Sequence, residues 1–150
     1  MQNRMKLSFL SLSENESFAR AAAGAFASQL NPTIDEITDI KTAVSEAVTN
    51  AIVHGYRSKI AEITMEIFLE DQTVRIVIED RGIGIADVRQ AREPFYSGAP
   101  GEERSGMGFT VMETFMDTLE VHSQLDVGTV VTMTKKIEQK SDEAVGTADA

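Results

Sequence analysis

The chain contains no cysteine and no tryptophan, three prolines, two histidines, and only 6% aromatic residues in 150 positions. Without cysteine there is neither a disulfide framework nor a thiolate metal site. His54 and His122 are too few and too far apart to suggest a metal centre. Long apolar runs are also missing. Nothing approaches the roughly 20 consecutive apolar residues of a membrane span, and the opening Met1-Gln-Asn-Arg-Met-Lys6 has no signal-peptide core. These absences predict a cytoplasmic protein with no membrane association. Basic residues are the minority, 14 Lys+Arg against 24 Asp+Glu, for a net charge of −10. Such a field repels polyanions, so direct nucleic-acid binding is not expected, whereas a basic protein partner would be attracted. The same balance also serves solubility alone. Local backbone dipoles can still hold a nucleotide against the global field.

What is present is 42% hydrophobic residues in clear periodic order, enough for one domain with a sizeable core. Met5, Leu7 and Phe9 alternate with Lys6 and Ser8, which predicts a short strand. Ser13-Glu-Asn-Glu16 has the form of a capping box, and Phe18, Ala21, Ala22, Ala25, Phe26 and Leu30 form a helical stripe stopped at Asn31-Pro32. A second box, Thr33-Ile-Asp-Glu36, opens a longer helix to about His54, ended by Gly55, with Val44, Val48, Ala51 and Ile52 as its core stripe. Ile63, Met65, Ile67 and Leu69, then Val74, Ile76 and Ile78, form a hairpin turned at Asp71-Gln72 with one buried side. Residues 93–105 lack a period and read as a loop. A helix from Gly106 to about Asp117 and a hairpin of Leu119–Leu125 and Thr129–Ile137 complete an expected domain over 1–137. Residues 138–150 have little to bury and are expected to be a disordered tail. The sum is an α+β fold, a two-layer sandwich of an antiparallel or mixed, mostly antiparallel, sheet with helices on one face.

Four stretches carry candidate chemistry. Glu46 and Asn50 share one side of the second helix, away from its core stripe, where the only charge between Lys41 and Arg57 is Glu46. A carboxylate and an amide oxygen in a half-covered cleft suit Mg²⁺ or the positioning of a hydroxyl nucleophile; an ordinary structural pair beside a loop has the same appearance. In Glu79-Asp80-Arg81-Gly82-Ile83-Gly84, strand parity points Asp80 inward, where it needs donors such as a purine amine. Gly82 and Gly84 would admit a flat ring against the backbone, although an aspartate capping local amides also fits. Arg104-Ser105-Gly106-Met107-Gly108 meets a helix N-terminus, a ready phosphate cradle with an adjacent cation, or a hinge capped by Ser105. Gly128-Thr129 offers a hydroxyl in the last hairpin, or simply a turn. His54 reads as a satisfied helix-end histidine, and Met107, Phe109, Met112, Phe115 and Met116 read as core.

The order of these four motifs resembles the Bergerat ATP-binding fold of gyrase, chaperone and histidine-kinase ATPase domains. Three longer strings, Ser13-Glu-Asn-Glu-Ser-Phe-Ala-Arg20, Glu46-Ala-Val-Thr-Asn-Ala-Ile-Val-His-Gly-Tyr56 and Glu103-Arg-Ser-Gly-Met-Gly-Phe109, resemble the sporulation anti-sigma F factor family of serine kinases over about residues 1–137. That resemblance implies ATP and Mg²⁺ as cofactors, with Asn50 ligating the metal and Asp80 accepting from the adenine amine. Gly82, Gly84, Gly106 and Gly108 would shape pocket and lid, with Arg104 and Ser105 beside the phosphates and Thr129 on the adenine side. Glu46 would orient and deprotonate the attacking serine of an anti-anti-sigma factor. Arg20 would dock that protein and a sigma factor, which an ATP-bound homodimer holds inactive. The chain departs from the family pattern at Ser97-Gly-Ala-Pro100, where relatives carry a lysine-containing run, and at Arg81, where glutamate is common. Two other expectations compete: a non-catalytic, ATP-dependent module that sequesters a sigma factor, and a detached sensor-kinase catalytic domain.

Overall fold

The computed structural model describes residues 2–94 and 108–138. In chain order the elements are β1 (Gln2–Leu10), α1 (Glu14–Ala27), α2 (Ile34–Asn50), β2 (Glu62–Glu70), β3 (Thr73–Asp80), α3 (Val88–Ala91), α4 (Gly108–Phe115), β4 (Thr118–Gln124) and β5 (Gly128–Lys136). The five strands form one sheet in the order β1-β2-β3-β5-β4. Every neighbouring pair is antiparallel, so the sheet is not mixed. Period-two patterning decides which face is buried. Ile63, Met65, Ile67 and Leu69 on β2, Val74, Ile76 and Ile78 on β3, and Val131 and Met133 on β5 are all buried against the helices. Each such side chain contributes on the order of 1.5–3 kcal/mol. The β2–β3 turn is the expected one, with Asp71 in the left-handed region at φ 56°, a conformation aspartate tolerates better than most residues.

Helix α2 is the central helix and starts as predicted. The Thr33 hydroxyl accepts from the Glu36 amide at 3.1 Å while Glu36 accepts from the Thr33 amide at 2.8 Å. Its carboxylate also takes the Glu138 amide at 2.9 Å. Burial pushes the Glu36 pKa up, but these amide bonds outweigh it and the net direction is down.

The first capping box does not form. Ser13 already has helical dihedrals, φ −59° and ψ −29°, and its hydroxyl donates to Glu14 instead. The stripe of α1 also differs from expectation. Ala19, Ala23, Gly24, Ala27 and, just after the helix, Leu30 are buried, whereas Phe18 is 53% exposed. Helix α1 packs on α2 through its small residues, and a Cβ at Gly24 would lie 3.0 Å from the Lys41 side chain. Close approach of two backbones selects Ala and Gly over the larger apolar residues. The short α3, capped by Asp87 accepting from the Gln90 amide, has no apolar stripe to announce it. The described part of α4 runs over Gly108–Phe115, where Lys135 donates to the Phe115 carbonyl at 2.8 Å and pairs with Asp39 at 3.4 Å. Phe109, Met112 and Met116 are in the core as expected; Met107 lies outside the described residues.

Candidate functional site

The end of α2 creates the site. After Asn50 the helix widens into a π-helical turn over Ala51–Gly55, where the Tyr56 amide reaches back five residues to the Ala51 carbonyl at 2.9 Å. Turns of this type recur at functional positions. Here it seats Gly55 directly over Asp80, so that a Cβ at 55 would lie 2.8 Å from the carboxyl. Tyr56 then ties the junction together. Its hydroxyl donates to the Glu62 carbonyl at 2.5 Å and accepts from the Arg81 amide at 2.7 Å.

The loop after β3 is held between this junction and the last hairpin. The Ile83 amide donates to the Gly55 carbonyl at 3.0 Å, and the Asp126 amide donates to the Ile83 carbonyl at 2.7 Å. A Cβ at Gly82 would sit 2.1 Å from the Gly55 carbonyl oxygen. The bare Cα of Gly82 therefore serves contact between two protein backbones, and Gly82 does not line the cavity. Gly84 lines it, at φ +75°, with a would-be Cβ 2.1 Å from the Gln124 carbonyl.

Between α2, α4, the sheet and this loop lies a cavity of about 300 Å³, at the lower end of the usual size for small-molecule sites. Ala47 and Ala51 from α2, Ile78 and Val131 from the sheet and Phe109 from α4 supply apolar walls. Asn50 and Gly108 meet at one side, close enough that a Cβ at 108 would touch the Asn50 side-chain amide at 2.9 Å. Asp80 and Thr129 meet at the inner end as Cα partners across β3 and β5, 6% and 7% exposed. Asp80 accepts from the Gly82 amide at 2.9 Å. Burial pushes its pKa up to about 6; the Gly82 and Thr129 amides oppose that rise and the Glu79 charge adds to it. The site is thus a largely apolar slot with a buried carboxylate at its inner end and an amide oxygen nearer α4.

Of the residues singled out in the sequence, Asn50, Asp80, Gly84, Gly108 and Thr129 all line this cavity. Glu46 stands one turn before Asn50, half-buried and outside the cavity wall formed by the described residues. Arg20 is exposed on α1, and Arg104, Ser105 and Gly106 lie outside the described residues. Two nitrogen-bearing side chains had not been singled out for the site: His54 and Arg57 both line the cavity. Extending the spacing of Glu46 and Asn50 by four more residues reaches His54, which was the available signal. Arg57 depends on a left-handed backbone, φ 55°, that no local pattern announces. Ser123 was also missed, and it joins the Thr129 hydroxyl to the Ile85 amide.

Mg²⁺ fits this donor set. Among the described residues no group of three or more His, Cys, Asp or Glu could cage a metal, whereas Mg²⁺ typically takes one or two protein oxygens and completes its shell with water and phosphate. The side-chain oxygen of Asn50, on the cavity wall, is a hard donor of that kind.

A one-faced antiparallel sheet with a slot between its helices, a buried strand-end aspartate and an asparagine on the facing helix define the histidine kinase-like ATPase domain, and residues 9–135 match that family. The mycobacterial sensor histidine kinase MprB has the same fold, with a TM-score of 0.53 at 19% identity over 69% of this chain and 74% of that one. The sequence is more specific. It is 60% identical over 138 residues to the anti-sigma F factor of Clostridium novyi, covering 90% of this chain and 95% of that one. It is 56% identical over 138 residues to the anti-sigma F factor of Clostridium perfringens, covering 91% and 99%, and 57% identical over 135 residues to that of a Thermoanaerobacter species, covering 90% and 94%. The chain belongs to the anti-sigma F factor family.

Proposed function

We propose that this protein is a cytoplasmic, homodimeric antagonist of a sporulation sigma factor that uses Mg-ATP to phosphorylate its anti-anti-sigma factor on a serine. Residues 1–137 would be the kinase domain and 138–150 an appended tail. The single observation that carries the reading is the pairing of Asn50 and Asp80 across one slot, with Glu46 a helical turn beyond Asn50. Asp80 would accept from the adenine amine, with Gly84 and Thr129 around the ring. Asn50 would hold Mg²⁺, which supplies charge neutralisation at the phosphates. His54, Arg57 and Gly108 on α4 would face the phosphate end, joined by Arg104, Ser105 and Gly106.

Glu46 lies about 6 Å along the helix axis from Asn50. A base placed beyond the nucleobase slot suits a nucleophile that arrives from a second protein. The serine oxygen would bond to the terminal phosphorus, the bond to the ADP oxygen would break, and the serine proton would pass to Glu46. Such transfers depend mainly on positioning and charge stabilisation. Arg20, exposed on α1, would dock the partner proteins.

Incubation with labelled ATP, Mg²⁺ and the purified antagonist tests this. Transfer to a serine is expected, with Glu46→Gln lowering its rate at least 100-fold while nucleotide affinity survives. The position of Glu46 outside the cavity wall favours one alternative, an ATP-dependent module that sequesters sigma without chemistry. Absent transfer with intact sigma binding would establish that alternative.

A further inference from the structure

At the inner end of the cavity two hydroxyls lie in contact, and their protons can be counted. Ser123 on β4 and Thr129 on β5 are Cα partners in the last hairpin, and Thr129 stands opposite Asp80 on β3. Ser123 Oγ has three polar contacts. It accepts from the Ile85 amide at 2.7 Å, donates to the Gly128 carbonyl at 3.1 Å and lies 2.8 Å from Thr129 Oγ1.

A serine hydroxyl has one proton and two lone pairs, and a carbonyl oxygen can only accept. All three contacts are satisfied together in one arrangement. Ser123 gives its proton to Gly128 and takes those of Ile85 and Thr129. Ser123 is then saturated, and Thr129 Oγ1, its proton committed, has only lone pairs left for the cavity. The ionised Asp80 beside it also only accepts.

We propose that Ser123 is a positioning residue that holds the Thr129 hydroxyl as an acceptor, so that the inner end of the cavity selects a nucleobase carrying an exocyclic amine over a 6-oxo purine. This role rests on the adenine-nucleotide reading of the cavity. An amine brings two N–H groups to two acceptors. A 6-oxo purine sets its own carbonyl oxygen against those lone pairs, and buried polar groups left unpaired in this way are what gives a site its discrimination.

The test is the ratio of ATP to inosine triphosphate affinity, measured with Mg²⁺ on the full-length protein by calorimetric titration. Wild type should favour ATP. Ser123→Ala frees the Thr129 hydroxyl to donate inward, and the ratio should fall about tenfold, the worth of one hydrogen bond, whatever happens to the absolute affinities. A purely structural role would weaken both ligands equally, and an unchanged ratio would overturn the assignment. Thr129→Val should lose the same discrimination, and Ser123→Ala added to it should lower the ratio no further. An additional fall in the double variant would also overturn the assignment. Should Ser123→Ala fail to fold, Ser123→Cys, with a weak thiol donor and acceptor of similar size, takes its place with the same expected fall. A wild-type protein that binds both triphosphates equally, or an Asp80→Asn variant that retains ATP affinity, would sink the adenine reading itself. Discrimination that persists without the Ser123 hydroxyl would sink only the role of Ser123.

Discussion

Burial at a strand end gives Asp80 a pKa of about 6 in place of 3.8, and that shift reaches both stability and binding. Because the folded-state pKa is raised, the favourable contribution of this group to folding is complete below pH 3.8 and is lost as pH rises through about 6. Above pH 6 the empty protein therefore holds a poorly solvated carboxylate, and Asp80→Asn should raise its melting temperature at pH 7 while removing most nucleotide affinity, a trade common at functional sites. A purine amine favours the ionised form, so protons and nucleotide compete. Affinity for Mg-saturated ATP should be about tenfold weaker at pH 5 than at pH 7, with proton release on binding near pH 6. Calorimetry in two buffers of different ionisation enthalpy checks both. An affinity flat across this range would mean that Asp80 does not face the ligand. The inward direction of Asp80 was legible from alternation alone, because a strand admits only two faces. Phe18 was misread because its size suggested core, and only the partner helix reveals that the interface takes alanine and glycine.

Two stretches with the same capping pattern, Ser13 to Glu16 and Thr33 to Glu36, have different fates at the level of the element. Thr33 has an extended backbone, φ −71° and ψ 167°, which directs its hydroxyl at the Glu36 amide. Before Ser13 the chain has already turned, with the Leu12 amide on the Leu10 carbonyl and the Asn15 amide on the Leu12 carbonyl. Ser13 thus enters with helical dihedrals and cannot cap. Thr33→Ala should cost about 1 kcal/mol, and Ser13→Ala less than about 0.5 kcal/mol, in urea unfolding with unchanged slope. Equal losses would contradict the geometry. A sequence pattern specifies which hydrogen bonds are available; the dihedrals entering the helix decide which of them form. The π-helical turn at 51–55 and the four-residue α3 were illegible for a related reason. Neither has an apolar repeat of its own, and both are held by tertiary contacts: the turn by Gly55 over Asp80, and α3 by packing against β4.

On the scale of the whole molecule, the cavity is where separately positioned parts meet: the end of α2, the loop after β3, the start of α4 and the last hairpin. Each carried one of the four sequence motifs, and their convergence was readable only from their order, since no motif spans two of them. The edge strand β1 and the exposed side of α1 take no part in lining it. A ligand in the slot would stabilise the fold by mass action, by about 2.7 kcal/mol at 100 times its dissociation constant, but its local effects should be uneven. Amides near the cavity, at residues 81–86 and 109–112, should exchange hydrogen more slowly with Mg-ATP, whereas those of β1 should slow only through global stabilisation. The loop at 81–86 should respond most, because it has few buried apolar contacts of its own and is held by hydrogen bonds that its amides donate to Gly55 and Ser123 and that Ile83 accepts from Asp126. Hydrogen exchange resolved along the chain at pH 7 distinguishes the two patterns. Equal slowing in β1 and in residues 81–86 would imply that the nucleotide acts on the fold as a whole, without seating between Asn50 and Asp80.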